Sequence, residues 1–123
     1  MIFIGIDVAK AKHDCCIMNS DGIVLSGFVF TNDRQGFDKL TDEIKKVSHK
    51  KDNSDVKIGL ESTGHYSTNI TNYLMQKRLS VRIFNPLQVS LMRKAQTLRK
   101  TKTDKSDAKF LATLLFSEDS KPY

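Results

Sequence analysis

Two short apolar runs in this chain end in the same way. Ile2-Phe3-Ile4-Gly5-Ile6-Asp7 and Val56-Lys57-Ile58-Gly59-Leu60-Glu61 each close on a glycine, one aliphatic residue and an acid. Successive side chains of a β-strand point to opposite faces. Ile2, Ile4, Ile6 and Val8 therefore share one face, and Phe3, Gly5 and Asp7 share the other; in the second run Val56, Ile58 and Leu60 oppose Gly59 and Glu61. Each acid ends a strand built for burial, with no side chain two positions below it on its own face. In open α/β sheets the functional crevice lies beyond the carboxyl ends of the strands, so the two runs predict one sheet on which Asp7 and Glu61 share a site.

The segments between them fill in such a sheet. Residues 13–19 and 23–30 read as strands joined by the turn Asn19-Ser20-Asp21-Gly22, which with the first run makes a three-stranded antiparallel meander. Phe37, Leu40, Ile44 and Val47 then recur at helical spacing, with Asn32 and Gln35 placed like a capping box. The polar tract from His49 to Asp55 reads as a loop before the second acid-bearing run. Ser62-Thr63-Gly64 supplies helix-start chemistry ahead of a stripe of Tyr66, Ile70, Tyr73 and Leu74. Residues 81–84 form another strand, and Asn85-Pro86 opens a helix with Val89 and Met92 facing inward. Gln96 to Thr103 is almost devoid of apolar residues and reads as a mobile basic loop; Ala108, Leu111, Ala112 and Leu115 make a closing helix. The order is β-β-β-α-β-α-β-α-α, and right-handed crossovers add the later strands in parallel to give a mixed five-stranded α/β sheet.

The closing helix adds two more acids. Asp104 and Asp107, three residues apart, continue the line of 108, 111, 112 and 115 and so lie on the face turned toward the sheet. Taken by itself, this pair also suits a helix cap. Together with Asp7 and Glu61 it makes a set of converging carboxylates that would repel one another unless a cation intervened. A hard, oxygen-seeking ion such as Mg²⁺ or Mn²⁺ fits that donor set. Two such ions about 3.5 to 4 Å apart suit in-line phosphoryl transfer without any histidine or cysteine.

Charge points to the same kind of partner. The chain has 123 residues, the size of one domain, and a formal net charge of +6. Arg93, Lys94, Arg99, Lys100, Lys102 and Lys105 crowd around the late acids, and Lys10 follows Asp7 closely. Such a run suits a phosphate backbone rather than the base edges. The adjacent cysteines, Cys15 and Cys16, read as one buried and one exposed thiol without a partner, which fits a reducing cytosol. His13 and His49 read as surface residues, His65 as a possible substrate contact, and Tyr66 and Tyr73 as core packing. Ser62 and Ser106 read as polar residues at helix starts. No apolar stretch reaches the roughly 20 residues of a membrane span and no basic leader precedes residue 2, so a soluble protein without a membrane partner is expected.

The opening FIGIDVAK, the central GLESTGHY, Asn85-Pro86 and the late KTDKSDAKFLA resemble the N-terminal domain of the DEDD transposases of bacterial insertion sequences, the insertion-sequence-110 family of RNA-guided recombinases. The likeness covers essentially the whole chain. It implies a RuvC-like, ribonuclease H-type fold over residues 1–118, with 119–123 a tail or boundary, and an acidic tetrad falling on Asp7, Glu61, Asp104 and Asp107. It further implies DNA as substrate, a guide RNA, a dimer or tetramer, and a bacterial, nucleoid-associated location in the cytoplasm. It also implies a C-terminal domain, absent from this chain, that supplies a nucleophilic serine. Two alternatives rest on the residues alone. A three-strand opening after Gly-Ile-Asp is shared with actin and sugar-kinase ATPases, although Val8-Ala9-Lys10 stands where those need glycine and a hydroxyl; a binding module whose carboxylates only anchor loops is the other.

Overall fold

The computed structural model describes residues 1–50, 53–62, 64–98 and 107–120. Five strands, β1 (Ile2–Asp7), β2 (Lys12–Met18), β3 (Val24–Thr31), β4 (Val56–Glu61) and β5 (Ser80–Phe84), form one sheet in the order β3-β2-β1-β4-β5. β1 pairs antiparallel with β2 and β2 with β3; β4 and β5 run parallel to β1. The meander is closed by the expected turn, where the Asn19 side chain accepts from the Asp21 and Ile23 amides and Gly22 takes φ +79°. Helices α1 (Arg34–Val47), α2 (Thr68–Gln76), α3 (Pro86–Leu98) and α4 (Asp107–Ser120) complete the fold. None of the described helices is long and apolar enough to cross a membrane.

Strand alternation divides the core in two. On one face Ile2, Ile4, Ile6, Cys15, Ile17 and Phe30 pack against Phe37, Leu40 and Ile44 of α1 and Ile70, Tyr73 and Leu74 of α2. On the other, Phe3, Cys16 and Met18 meet Ala108, Leu111, Ala112 and Leu115 of α4. Gly5 makes the second packing possible. A Cβ placed there would lie 2.0 Å from the Ala108 carbonyl oxygen and 2.5 Å from the Ala112 nitrogen, so only glycine lets the α4 backbone settle on β1. Gly59 leaves room on β4 for side chains instead, since a Cβ there would fall 2.9 Å from those of Leu115 and Phe84.

Several local expectations change. The cap of α1 is Asp33, not Asn32: its carboxylate accepts from the Gly36 amide at 2.8 Å and the Thr31 hydroxyl at 2.7 Å. Asn32 is drawn the other way, donating its side-chain amide to the Lys10 carbonyl at 3.1 Å. The segment after β4 first makes a 3-10 turn, Gly64–Ser67, before α2 begins, and Tyr66 there is exposed rather than packed. α3 runs to Leu98, so residues 96–98, read as loop, belong to a helix. Among the described side chains of α3, Val89 is the buried apolar one; Met92, expected inside, is exposed with Leu87 and Leu91. Both cysteines are buried, one in each half of the core, because they sit mid-strand on opposite faces of a sheet covered on both sides. His13 is fully buried for the same reason, packed edge-on against Phe30, and is not a surface residue.

Candidate metal centre

β1 and β4 run side by side with Ile6 opposite Leu60, so Asp7 and Glu61 end neighbouring parallel strands one residue beyond that pair. Adjacent strands lie about 4.8 Å apart, and both acids share the face of Gly5 and Gly59, the face that α4 covers. α4 delivers the third acid. Its Ala108 carbonyl rests over Gly5, and Asp107, the residue before, opens the helix beside the strand ends. A carboxylate in a first helical turn is also favoured by the helix dipole.

The three acids act on one another. Burial, followed by the charges of Asp107, Asp14 and Glu61, pushes the Asp7 carboxyl above its ordinary value, with Arg93 pulling the other way. Burial and then Asp107 push Glu61 up, again against Arg93. Asp14 was not singled out from the sequence. Antiparallel pairing sets it directly opposite Asp7 and hence on the same face. Like charges so placed destabilise a sheet by about 0.2–1 kcal/mol. The signal that would find it is strand register, which depends on the geometry of the turn at residues 8–11.

Arg93, one of the residues expected to contact phosphate, reaches the acids: its Nη2 donates to Asp107 Oδ1, and its guanidinium carbon lies 4.3 Å from the centroid of the buried Phe110 ring. Among the described residues, no three Asp, Glu, His or Cys side chains come close enough to ligate one ion. Asp107 is turned toward Arg93, and Asp104 lies outside the described residues. The donor chemistry nevertheless suits a hard divalent cation: three carboxylates on three elements, mutually repelling, with no soft ligand among them.

The turn after Asp7 is tied from below. The Ala9 amide donates to His13 Nδ1 at 3.1 Å, and the Asn32 amide donates to the Ala11 carbonyl at 2.9 Å. With the Asn32 contact to Lys10, this fixes the backbone that carries Lys10, itself exposed. Burial holds the His13 imidazole below its ordinary value, with an opposing contribution from Asn32, which matches a neutral ring accepting at Nδ1. Lys94 is exposed on α3, whereas Arg99, Lys100, Lys102 and Lys105 lie outside the described residues.

A mixed five-stranded sheet with helices on both faces is the architecture of RuvC. Thermus thermophilus RuvC superposes with a TM-score of 0.59 at 14% identity, covering 97% of this chain and 95% of that one, in a structure described as a complex with Holliday junction substrate. The fowlpox virus Holliday junction resolvase gives 0.54 at 14% identity, covering 97% and 99%. These likenesses show a RuvC-like, ribonuclease H-type fold. The family follows from sequence: the model for IS110-type DEDD transposases, described as "Transposase", matches residues 4–123, and the chain belongs to that family. Pilin gene-inverting proteins of Moraxella lacunata and Moraxella bovis are each 36% identical over 110 residues, or 89% of this chain. The chain spans 33% of the length of those relatives.

Proposed function

We propose that this chain is the metal-dependent catalytic domain of a DNA transposase or recombinase, with Asp7, Glu61, Asp104 and Asp107 as its metal ligands. The observation that supports this reading is that Asp7 and Glu61 end adjacent strands on the face covered by the helix that Asp107 opens, near enough for the charge of Asp107 to act on both. Family membership supports nucleic-acid processing, and the relatives are named for inverting a gene. It also decides against the kinase-like ATPase alternative.

The four carboxylates hold Mg²⁺ or Mn²⁺ as a pair of ions, which when bound supply activation of the attacking oxygen and stabilisation of the leaving one. Asp7 and Glu61, fixed by strand pairing, set the floor of the site, and α4 sets the height of Asp107 above it. Lys10, Arg93, Lys94, Arg99, Lys100, Lys102 and Lys105 contact the phosphate backbone and give salt-dependent, sequence-tolerant affinity. DNA choice falls to a guide RNA, and strand transfer is completed by a serine from a C-terminal domain in a dimer or tetramer. The protein works in the cytoplasm, on nucleoid DNA.

Calorimetric titration of Mg²⁺ or Mn²⁺ tests the centre. Binding is expected to the wild-type chain and to be abolished in Asp7→Ala and in Glu61→Ala. Unchanged metal affinity in both variants would favour a binding module without catalysis and sink the proposal.

A further inference from the structure

We propose that Arg93 competes with a divalent cation for Asp107 and, once displaced, turns its guanidinium to a phosphate oxygen of the bound nucleic acid. This rests on the four-carboxylate reading above and adds an exchange step to it.

The argument begins with how Arg93 is held. Its side chain reaches from α3 across to α4, where Nη2 meets the Asp107 carboxylate and the planar head lies over Phe110, which is fully buried. The ring contact does not depend on Asp107. Stacking of a guanidinium on an aromatic face is attractive in its own right, so release of the carboxylate leaves the head still seated at the site. The ion pair is a modest hold, because its side chains are 38% and 57% exposed. Exposed pairs of this kind shift an equilibrium by about one- to fivefold. A divalent ion shared by several carboxylates outcompetes it.

The charge pattern gives the exchange its direction. The guanidinium pairs with Asp107, and its charge also favours the ionised forms of Asp7 and Glu61. Cations arriving there repel it from Asp107. A phosphate entering the same space attracts it, and the guanidinium fork carries five N–H donors in a plane that matches phosphate oxygens. Lysine would keep the charge and lose both the stack and the fork. One residue thus keeps the acids partly neutralised beforehand and meets the substrate afterwards, coupling metal loading to nucleic-acid binding.

Mn²⁺ titration of the 123-residue chain, followed by the electron paramagnetic resonance of free Mn²⁺, gives the first arm. Arg93→Gln is expected to bind Mn²⁺ about two- to fivefold more tightly than wild type, and Arg93→Lys to fall between. Binding to a four-way DNA junction at saturating Mn²⁺ gives the second, where Arg93→Gln is expected to reduce the slope of log affinity against log salt by about one. Weaker or unchanged Mn²⁺ binding in Arg93→Gln would mean that Arg93 organises Asp107 and does not compete for it. An unchanged salt slope would mean that it does not reach phosphate. Either result overturns the inference while leaving the metal centre standing. If the wild-type chain binds no Mn²⁺, or Asp7→Ala binds it as well as wild type, the four-carboxylate reading fails first and takes this one with it.

Discussion

The two faces of the sheet are closed by opposite means. Toward α1 and α2, β1 presents Ile2, Ile4 and Ile6, and bulky aliphatic side chains fill the gap between layers. Toward α4 it presents Phe3, then Gly5, then Asp7, so that the filling thins along the strand until helix backbone touches sheet backbone. A truncated side chain leaves a gap that its neighbours can partly close, whereas an atom added between two touching backbones has nowhere to go. The first face holds the sheet together. The second trades packing volume for proximity, and proximity is what brings Asp107 to Asp7 and Glu61.

The contrast can be broken by paired substitutions. Ile4→Ala, on the packed face, is expected to cost about 2–5 kcal/mol in urea unfolding and to leave metal affinity in the folded fraction near wild type. Gly5→Ala is expected to cost about 1–3 kcal/mol and to weaken Mn²⁺ binding as well, because the added methyl lifts α4 and Asp107 with it. Equal effects on metal affinity from the two would erase the distinction between the faces.

His13→Leu tests whether the packed face reaches the site through the turn at residues 8–11. Losing the acceptor for the Ala9 amide is expected to cost about 1–3 kcal/mol, and His13→Asn, which retains a side-chain acceptor, to restore much of it. Hydrogen exchange at the Ala9 amide reads the bond directly. Unaltered protection in His13→Leu would show that the turn does not depend on the histidine.

The smallest effect is expected from Asp14→Asn, and it has the opposite sign. Removing the charge opposite Asp7 should stabilise the fold by about 0.2–1 kcal/mol near neutral pH. A carboxyl raised in the folded state binds its proton more tightly there than in the unfolded chain. Stability therefore falls as pH rises from the ordinary Asp value of 3.8 through the raised folded value of Asp7, and gains as pH falls through that window. Asp14→Asn should shrink this gain. A steeper pH dependence in the variant would contradict the assignment.

How much of this was readable beforehand depends on how local each signal is. The strand-end acids and their glycines were legible because period-two alternation assigns faces from spacing alone, and β1 and β4 carry it without interruption. The inward line of Ala108, Leu111, Ala112 and Leu115 was legible for the same reason at helical period. The cap of α1 was misplaced by one residue because Asn32 and Asp33 have equal capping chemistry; what separates them is that Asn32 is engaged by the Lys10 carbonyl, a contact 22 residues away in sequence. Asp14 and His13 were missed because their meaning lies in pairing register and in coverage of the meander by helices from elsewhere in the chain. Arg93 read as a member of a basic run, since nothing in its neighbourhood signals that Asp107 and Phe110 lie across from it.

Where α4 rests on β1 by main chain, at Ala108 and Ala112 over Gly5, the helix has a hard stop rather than a cushion. It cannot move closer to the strand, so the height of its first residue is set by main-chain packing contact. If the proposed centre tightens around a cation, side-chain rotation at residues such as Asp107 and Arg93, on the picosecond-to-nanosecond scale of exposed rotamers, supplies that motion more readily than travel of the helix.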